Sequence, residues 1–122
     1  MVEVICDTNF LIHLATNKIK NFDQFAIELG SLSFLVPDVV FNELNNLILD
    51  TNKKRQIEKT FEFIEKFKRI PITGVYADKE ILNFTKNNKS FVATMDRKLK
   101  NDIKKTGSII ISFHNNNLVI ES

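Results

Sequence analysis

The fold of this chain is decided by residues 2–9, which read VEVICDTN. The first five of these residues are a short, β-rich apolar run, which predicts a buried strand that ends at Asp7. Phe10, Leu11 and Leu14 then recur at helical spacing, so a helix is expected to follow at once. A buried strand that passes directly into a helix is typical of α/β proteins with a parallel sheet.

The same alternation continues along the chain. Further strands are predicted at residues 34–36, 91–93 and 109–111, with an extended segment at 70–72 and an edge strand at 118–120 after the turn at 115–117. Helices are predicted at residues 22–29, 38–48, 53–68 and 76–86, and from Asp96 to Gly107. Asp38 and Asp96 are each expected to be a helix N-cap. The pattern predicts a single domain over residues 1–122, a three-layer α/β/α sandwich around a mostly parallel sheet.

The composition is that of a soluble globular protein. The chain has 122 residues, of which 43% are hydrophobic and 26% are charged. Its single cysteine, Cys6, excludes an intrachain disulfide and is expected to be buried and inert, which agrees with a reducing cytoplasm. No apolar run approaches the roughly 18 residues of a membrane span, so no membrane partner is expected.

The charges are segregated although the net charge is only +2. Residues 53–69 contain seven basic and three acidic side chains, and residues 97–105 contain five basic and one acidic. Such a chain can hold a metal with its acidic part and a polyanion with its basic part. Two solvated basic helix faces explain the pattern equally well at this point.

Four acidic residues stand out by their positions. Asp7 and Asp96 follow predicted strands, Glu43 lies about one turn into a helix, and Asp78 opens the next helix. Ligands of parallel sheets bind beyond the carboxyl ends of the strands, so all four side chains are expected to face one pocket. Taken singly, Asp96 is explained as a helix cap and Glu43 as a solvated helix residue. Their joint placement is what predicts a site.

A group of carboxylates with no histidine or cysteine nearby predicts a site for a hard cation, Mg²⁺ or Mn²⁺. Such ions keep several waters, one of which can attack a phosphate while the cation stabilises the developing charge. Four carboxylates are enough to bind two ions. The same four residues are equally compatible with one fully coordinated ion and a second, weakly bound one.

Four segments, in order, resemble the PIN-domain family: CDTNFL (6–11), VPDVV (36–40) leading to Glu43, YAD (76–78) and VATMDRKLK (92–100). The resemblance covers essentially the whole chain. It implies an α/β/α sandwich and an endoribonuclease that cleaves single-stranded RNA with Mg²⁺ or Mn²⁺. It also implies a role for individual residues. The metal ligands would be Asp7, Glu43, Asp78 and Asp96, and the accessory polar residues would be Asn9 and Thr94.

Two branches of that family compete. Toxins of toxin–antitoxin pairs, the VapC type, typically have small residues after the third acid, whereas this chain has Lys79-Glu80-Ile81-Leu82. Residues 74–78 and 93–100 look more like the branch that processes ribosomal RNA in the small-subunit precursor, in its minimal archaeal form. We favour that branch, with an rRNA precursor as partner. The alternatives are a toxin with an antitoxin partner and a non-catalytic RNA-binding or assembly module, and a homodimer is a possible assembly.

Two basic segments are candidates for RNA contacts. Arg97, Lys100 and Lys104 are spaced to share one helix face that starts beside the predicted pocket, and Lys98 is adjacent to it. A second candidate lies at the start of the long helix and consists of Lys53, Lys54 and Arg55. A solvated basic face is the alternative for both.

The histidines and most of the aromatic residues are predicted to have structural roles. His13 and His114 have no partner at zinc-like spacing, so they are expected to be structural or exposed to solvent. The 11 phenylalanines are expected in the core. Phe113 and Tyr76 are the two aromatic residues predicted to be exposed.

Overall fold

The computed structural model describes residues 1–121, in which six strands and six helices follow one another in the predicted order. The strands are β1 (Val2–Cys6), β2 (Leu32–Pro37), β3 (Lys68–Ile70), β4 (Phe91–Ala93), β5 (Ile109–His114) and β6 (Asn117–Glu121). The helices are α1 (Thr8–Thr16), α2 (Phe22–Leu29), α3 (Asp38–Leu47), α4 (Lys54–Ile64), α5 (Ala77–Asn87) and α6 (Arg97–Lys104).

The six described strands form one sheet in the order β3-β2-β1-β4-β5-β6. The first five run parallel, and β6 pairs antiparallel with β5. The chain builds outward from β1 to β2 and β3, and then returns to the other side of β1 with β4. The strand order therefore reverses between β1 and β4, which is where α/β sheets bind ligands. The predicted mostly parallel sheet is confirmed.

Helices cover both faces of this sheet. Val4, Ile5 and Cys6 are consecutive in β1 and only 0, 3 and 0% exposed, although successive side chains of a strand point to opposite faces. On the helical layers, α1 packs against α3 and α4, and α5 packs against α6. The α/β/α sandwich is thus confirmed. Cys6 is buried, as predicted, and this burial raises the pKa of its thiol well above the ordinary value.

Aromatic rings fill much of the core. Ten of the eleven phenylalanines are buried in the main cluster or packed against it. Phe10 stacks on Phe113 with ring centroids 4.6 Å apart and packs against Phe34 at 6.3 Å. The prediction that Phe113 is exposed is wrong, because β5 turns this ring towards α1, where it also contacts His13.

The last two strands form a hairpin at the edge of the sheet. Its turn uses Asn115 and Asn116, whose φ angles of 50° and 59° lie in the left-handed region that asparagine tolerates. The Asn116 amide oxygen lies 2.8 Å from His13 Nε2, and His114 is exposed. The predicted edge strand is confirmed, and so are a structural contact for His13 and the exposure of His114.

Two local predictions are wrong. Asp38 is not an N-cap: Pro37 takes the extended position before α3, and Asp38 is the first helical residue. Its carboxylate instead accepts a hydrogen bond from Arg69 Nε at 3.1 Å and forms an ion pair with the same guanidinium at 2.9 Å, on the strand next to β2. Helix α4 ends at Ile64 rather than at Lys68, because residues 68–70 are needed to pair with β2.

None of the helices described for residues 1–121 combines the length and the apolar character needed to cross a membrane.

Candidate active site

Asp7 lies at the point where the strand order reverses. It directly follows β1, and its backbone N–H donates to the carbonyl of Ala93, at the end of the neighbouring strand β4, at 2.9 Å. As the N-cap of α1, Asp7 accepts the Thr8 N–H on Oδ1 at 2.9 Å. Its other oxygen, Oδ2, accepts the Thr94 hydroxyl at 3.0 Å. Both oxygens of this carboxylate are therefore held in place by the ends of the two central strands.

The electrostatic surroundings of Asp7 oppose its charge. The side chain is only 7% exposed, and this burial is the main cause that raises its pKa above the ordinary value. The hydrogen bonds from Thr8 and Thr94 act in the opposite direction and lower the pKa, whereas the nearby charges of Glu43 and Asp78 raise it further. A buried carboxylate surrounded by other acids would be relieved by a cation.

Glu43 joins the starts of two helices. It lies in the second turn of α3, where Oε1 accepts the Thr8 hydroxyl at 2.7 Å and Oε2 accepts the Ala77 N–H at 2.8 Å. Thr8 is thus shared: its backbone N–H holds Asp7 and its hydroxyl holds Glu43. The contact from Ala77 fixes the start of α5, which is the helix that carries Asp78.

Thr94 connects Asp7 to Asp96. The Thr94 side chain is completely buried, and its hydroxyl oxygen accepts the Asp96 N–H at 3.1 Å while the hydroxyl donates to Asp7. Asp96 is the N-cap of α6, as predicted, and accepts the Leu99 N–H on Oδ1 at 3.0 Å. The cap uses one oxygen, so the exposed carboxylate keeps lone pairs for another ligand.

Asp78 and Asp96 face the same cleft. Asp78 is exposed in the first turn of α5 and accepts the Lys79 N–H at 2.9 Å. A cleft of about 260 Å³ is lined by Asp78 and Asp96, by a third acid, Asp102, and by Lys79 and Lys98. On the other side of Asp96, a groove of about 490 Å³ runs along α1 past Asn9. The structure therefore arranges the four acids along the carboxyl edge of the sheet, with Asp96 between two open grooves.

The chemistry of these donors fits a hard cation, since all four are carboxylates. Their arrangement is open: in the part of the chain that is described, no three acidic, histidine or cysteine side chains are placed so that they could hold one metal ion. Asp7 is joined to Glu43 through Thr8 and to Asp96 through Thr94, so the acids are linked by hydrogen bonds rather than gathered around a point. Their role as metal ligands stays a prediction.

The predicted accessory residues differ in their contacts. Thr94 orients Asp7 through the hydrogen bond described above. Asn9 is exposed and lines the larger groove together with Met95 and Gln56. Sequence reasoning missed Thr8 and Lys79. The position of Thr8 directly after Asp7 is a signal, but its partner Glu43 lies 35 residues away and no local pattern predicts that contact.

The predicted basic stripe on α6 is divided by the fold. Lys100 forms an ion pair with Glu121 of β6 at 2.6 Å, and Lys104 approaches the same carboxylate at 3.7 Å. The single negative charge of Glu121 thereby compensates part of their positive charge at the edge of the sheet. Arg97 and Lys98 remain exposed, and Lys98 lines the cleft.

The second predicted basic segment lies at the start of α4. Lys53, Lys54 and Arg55 are exposed there, next to Gln56 in the wall of the larger groove. Contact with RNA stays a prediction for both basic segments.

The fold and the site together define the class of protein, an α/β domain with an oxygen-only acidic site at the switch point of its sheet. The chain belongs to the PIN-like domain family, whose model matches residues 4–116. Ribonuclease VapC4 of Methanocaldococcus jannaschii is 33% identical over 108 residues, which span 82% of this chain and 81% of that protein.

Solved structures agree with this assignment. The structure of the PIN domain endonuclease Utp24 superposes with a TM-score of 0.76 at 31% identity, and the match covers 98% of this chain and 90% of that one. VapBC2 from Rickettsia felis, bound to a DNA fragment from its promoter, matches with a TM-score of 0.60 at 10% identity over 93% of this chain and 100% of that one. This second likeness concerns the fold alone. The predicted family is thus confirmed, with relatives from both of its branches.

Proposed function

We propose that this protein is a metal-dependent endoribonuclease that hydrolyses phosphodiester bonds of single-stranded RNA. The ligands of one or two Mg²⁺ or Mn²⁺ ions would be Asp7, Glu43, Asp78 and Asp96. Support comes from the family, from a relative named as a ribonuclease and from another named as a PIN domain endonuclease.

The single observation that carries the proposal is the linked acidic network at the switch point. A solvated carboxylate needs no such support. Asp7 is buried although burial disfavours its charged form, and its carboxylate is held by hydrogen bonds from Thr8 and Thr94. Burying a charge costs free energy unless it is compensated, so this arrangement serves a partner of opposite charge.

The residues of the chain would act by position. Thr8 and Thr94 hold the carboxylates of Asp7 and Glu43 in fixed orientations, which limits reorganisation when the substrate arrives. A bound divalent cation supplies an activated water and stabilises negative charge on the phosphate. Lys79 and Lys98 line the cleft beside Asp78 and Asp96, where their ammonium groups can hold an adjoining phosphate.

Within the family, we infer a role in processing of an rRNA precursor. This rests on residues 74–78 and 93–100, which resemble that branch, and on the 31% identity with the endonuclease Utp24. The second candidate is a toxin ribonuclease held by an antitoxin partner, which the 33% identity with Ribonuclease VapC4 favours. Both roles use the same proposed chemistry and differ in the RNA and in the protein partner.

Cleavage of a labelled single-stranded RNA in Mn²⁺ or Mg²⁺ tests the activity. Asp7→Asn and Asp96→Asn should each lower the rate by more than about 100-fold, because even residues that only orient a metal ligand commonly contribute 10- to 100-fold. Asp23→Asn, which changes an exposed acid on α2, is the matched control and should cut at the parent rate. Cutting by Asp7→Asn and Asp96→Asn at the parent rate would show that the catalytic assignment is wrong.

Calorimetric titration with Mn²⁺ separates an enzyme from a non-catalytic RNA-binding module. The proposal expects a specific divalent site that Asp7→Asn weakens and Asp23→Asn does not. A module that only assembles with RNA should bind no divalent ion specifically and should cut no RNA with or without a chelator.

Crosslinking in the native cell separates the two biological roles. Recovery of precursor rRNA supports the processing role. Growth arrest on overexpression, relieved by the product of a small neighbouring reading frame, supports the toxin role instead.

A further inference from the structure

Tyr76 is an exposed aromatic ring beside the acidic site. Its side chain is 64% exposed, whereas nearly all other aromatic rings of the protein pack into the core. Within residues 1–121, its hydroxyl has no hydrogen-bond partner and its ring stacks on no other ring. The predicted exposure of Tyr76 is confirmed, and nothing in the fold uses this side chain.

The backbone of Tyr76 is tied directly to the acids. Tyr76 occupies the N-cap position of α5, where its carbonyl accepts the Glu80 N–H at 3.1 Å. The next residue, Ala77, donates its N–H to Glu43, and Asp78 follows. The ring therefore projects from a point that is fixed relative to two of the proposed metal ligands. Because the backbone is fixed, only the two side-chain torsions of Tyr76 have to be ordered when the ring binds a ligand.

Two lysines line the cleft beside the start of α5, together with the acids Asp78, Asp96 and Asp102. Lys79 follows Asp78 on α5, and Lys98 lies across the cleft on α6. An exposed aromatic ring near lysine side chains is a combination with which proteins bind single-stranded nucleic acids, since every base has a face that can stack and every nucleotide carries a phosphate. A double-stranded RNA offers no free base faces along its length.

We propose that Tyr76 is a stacking platform for an unpaired base of the RNA, next to the phosphate that Lys79 and Lys98 hold in the cleft. This rests on the proposed function for its substrate class and adds the contact that would select unpaired RNA. Because a ring stacks on any base, the contact favours single strands without selecting a sequence.

The composition of the chain makes this contact directly observable. Tyr76 is the only tyrosine and there is no tryptophan, so the tyrosine emission of the protein reports on this ring alone. The protein is titrated, in the presence of a chelator to prevent cleavage, with a single-stranded RNA of about ten nucleotides. Binding is followed independently by the anisotropy of a labelled RNA, and free tyrosine amide corrects for absorption by the RNA.

Stacking predicts that tyrosine emission is quenched with the same Kd as the anisotropy. Tyr76→Ala should weaken binding about 30-fold, which is the middle of the range for one stacked base, and Tyr76→Phe should restore it. Tyr76→Ala should leave the salt dependence of Kd unchanged, whereas Lys98→Ala should reduce the slope by about 0.7, the value for one phosphate contact on a single strand. Ile27→Ala, at another exposed apolar side chain on α2, is the matched control and should bind as the parent does.

An RNA with abasic sites gives the sharpest contrast, since the parent and Tyr76→Ala should bind it equally. Unchanged tyrosine emission at saturating RNA, or equal Kd values for the parent and Tyr76→Ala on intact RNA, would overturn the proposal. Equal loss of affinity for the abasic RNA would also overturn it, and would point to a protein partner or a structural role for the ring. If the Tyr76 variants behave as expected but no RNA is cut, the stacking contact stands and the proposed catalysis is wrong. If the protein cuts RNA with a divalent metal but Tyr76→Ala binds as the parent does, the catalysis stands and the stacking contact is wrong.

Discussion

Replacing Thr94 with valine removes the central hydroxyl of the acidic network and little else. The side chain is completely buried, and the hydroxyl donates to Asp7 Oδ2 at 3.0 Å and accepts the Asp96 N–H at 3.1 Å. Valine has nearly the same shape, so no cavity is expected and the hydrogen bonds alone are lost. Thr94→Ser is the matched control, because it keeps the hydroxyl and removes only a methyl group.

The expected loss of stability follows from these two contacts. A hydrogen bond to a charged group contributes about 1.5–3 kcal/mol, and the Asp96 N–H also loses its acceptor. Burial of one more methyl group in the variant offsets part of this. We expect the free energy of unfolding to fall by about 2 kcal/mol at neutral pH in metal-free buffer, and Tm to fall by roughly 6–10 °C for a domain of this size.

The loss should depend on pH in a definite direction. The hydrogen bond from Thr94 lowers the pKa of Asp7, while burial raises it above the ordinary value of 3.8. Without that hydrogen bond the pKa rises further. A carboxyl with a raised pKa in the folded state destabilises the fold once it is ionised, so its unfavourable effect grows as pH rises above 3.8 through the folded-state pKa. The difference between the parent and Thr94→Val should therefore be largest near neutral pH and shrink as pH falls towards 4.

Urea unfolding followed by far-ultraviolet circular dichroism, from about pH 4 to pH 8 with a chelator present, measures this difference. Thr94→Ser should lose about 1 kcal/mol for its missing methyl group, equally at every pH. A Thr94→Val penalty that does not change with pH, or no penalty at all, would refute the role of this hydroxyl as the support of the charged Asp7.

Three further changes test other parts of the structure. The pKa of Glu121 is lowered chiefly by its hydrogen bond from Lys100, so the stabilisation that this carboxylate contributes is lost as pH falls below 4.5. In Glu121→Gln, the free energy of unfolding measured in urea should therefore depend less on pH over that acid range. Gly74→Ala forces a side chain onto a residue with a φ of 138°, beside Glu80, and should lower Tm by a few degrees, equivalent to about 1 kcal/mol or more. Phe10→Ala empties a fully buried site and should cost about 3–5 kcal/mol in urea unfolding; a loss below 1 kcal/mol would contradict the described core.

The sequence by itself determined the order of elements and the candidate acids. Short apolar runs, such as residues 2–6, and periodic helical stripes are local patterns, so they can be recognised in the sequence without knowledge of the fold. Asp96 was identified as an N-cap for the same reason, because a cap depends on the next three residues. Asp38 shows the limit of this reasoning: its sequence context is that of a cap, yet Pro37 takes that position and Arg69, 31 residues away, takes the carboxylate.

Only the tertiary structure decided which side chains share the site. Asp7 and Thr94 are 87 residues apart and meet because β1 and β4 are neighbours in the sheet, while Thr8 reaches Glu43 across 35 residues. Likewise, the sequence predicts that Lys100 is available to bind phosphate, whereas in the fold Glu121 of β6 forms an ion pair with it. Local patterns fix what each segment becomes, but strand order and register fix its neighbours, and the charge, burial and partners of a side chain depend on those neighbours.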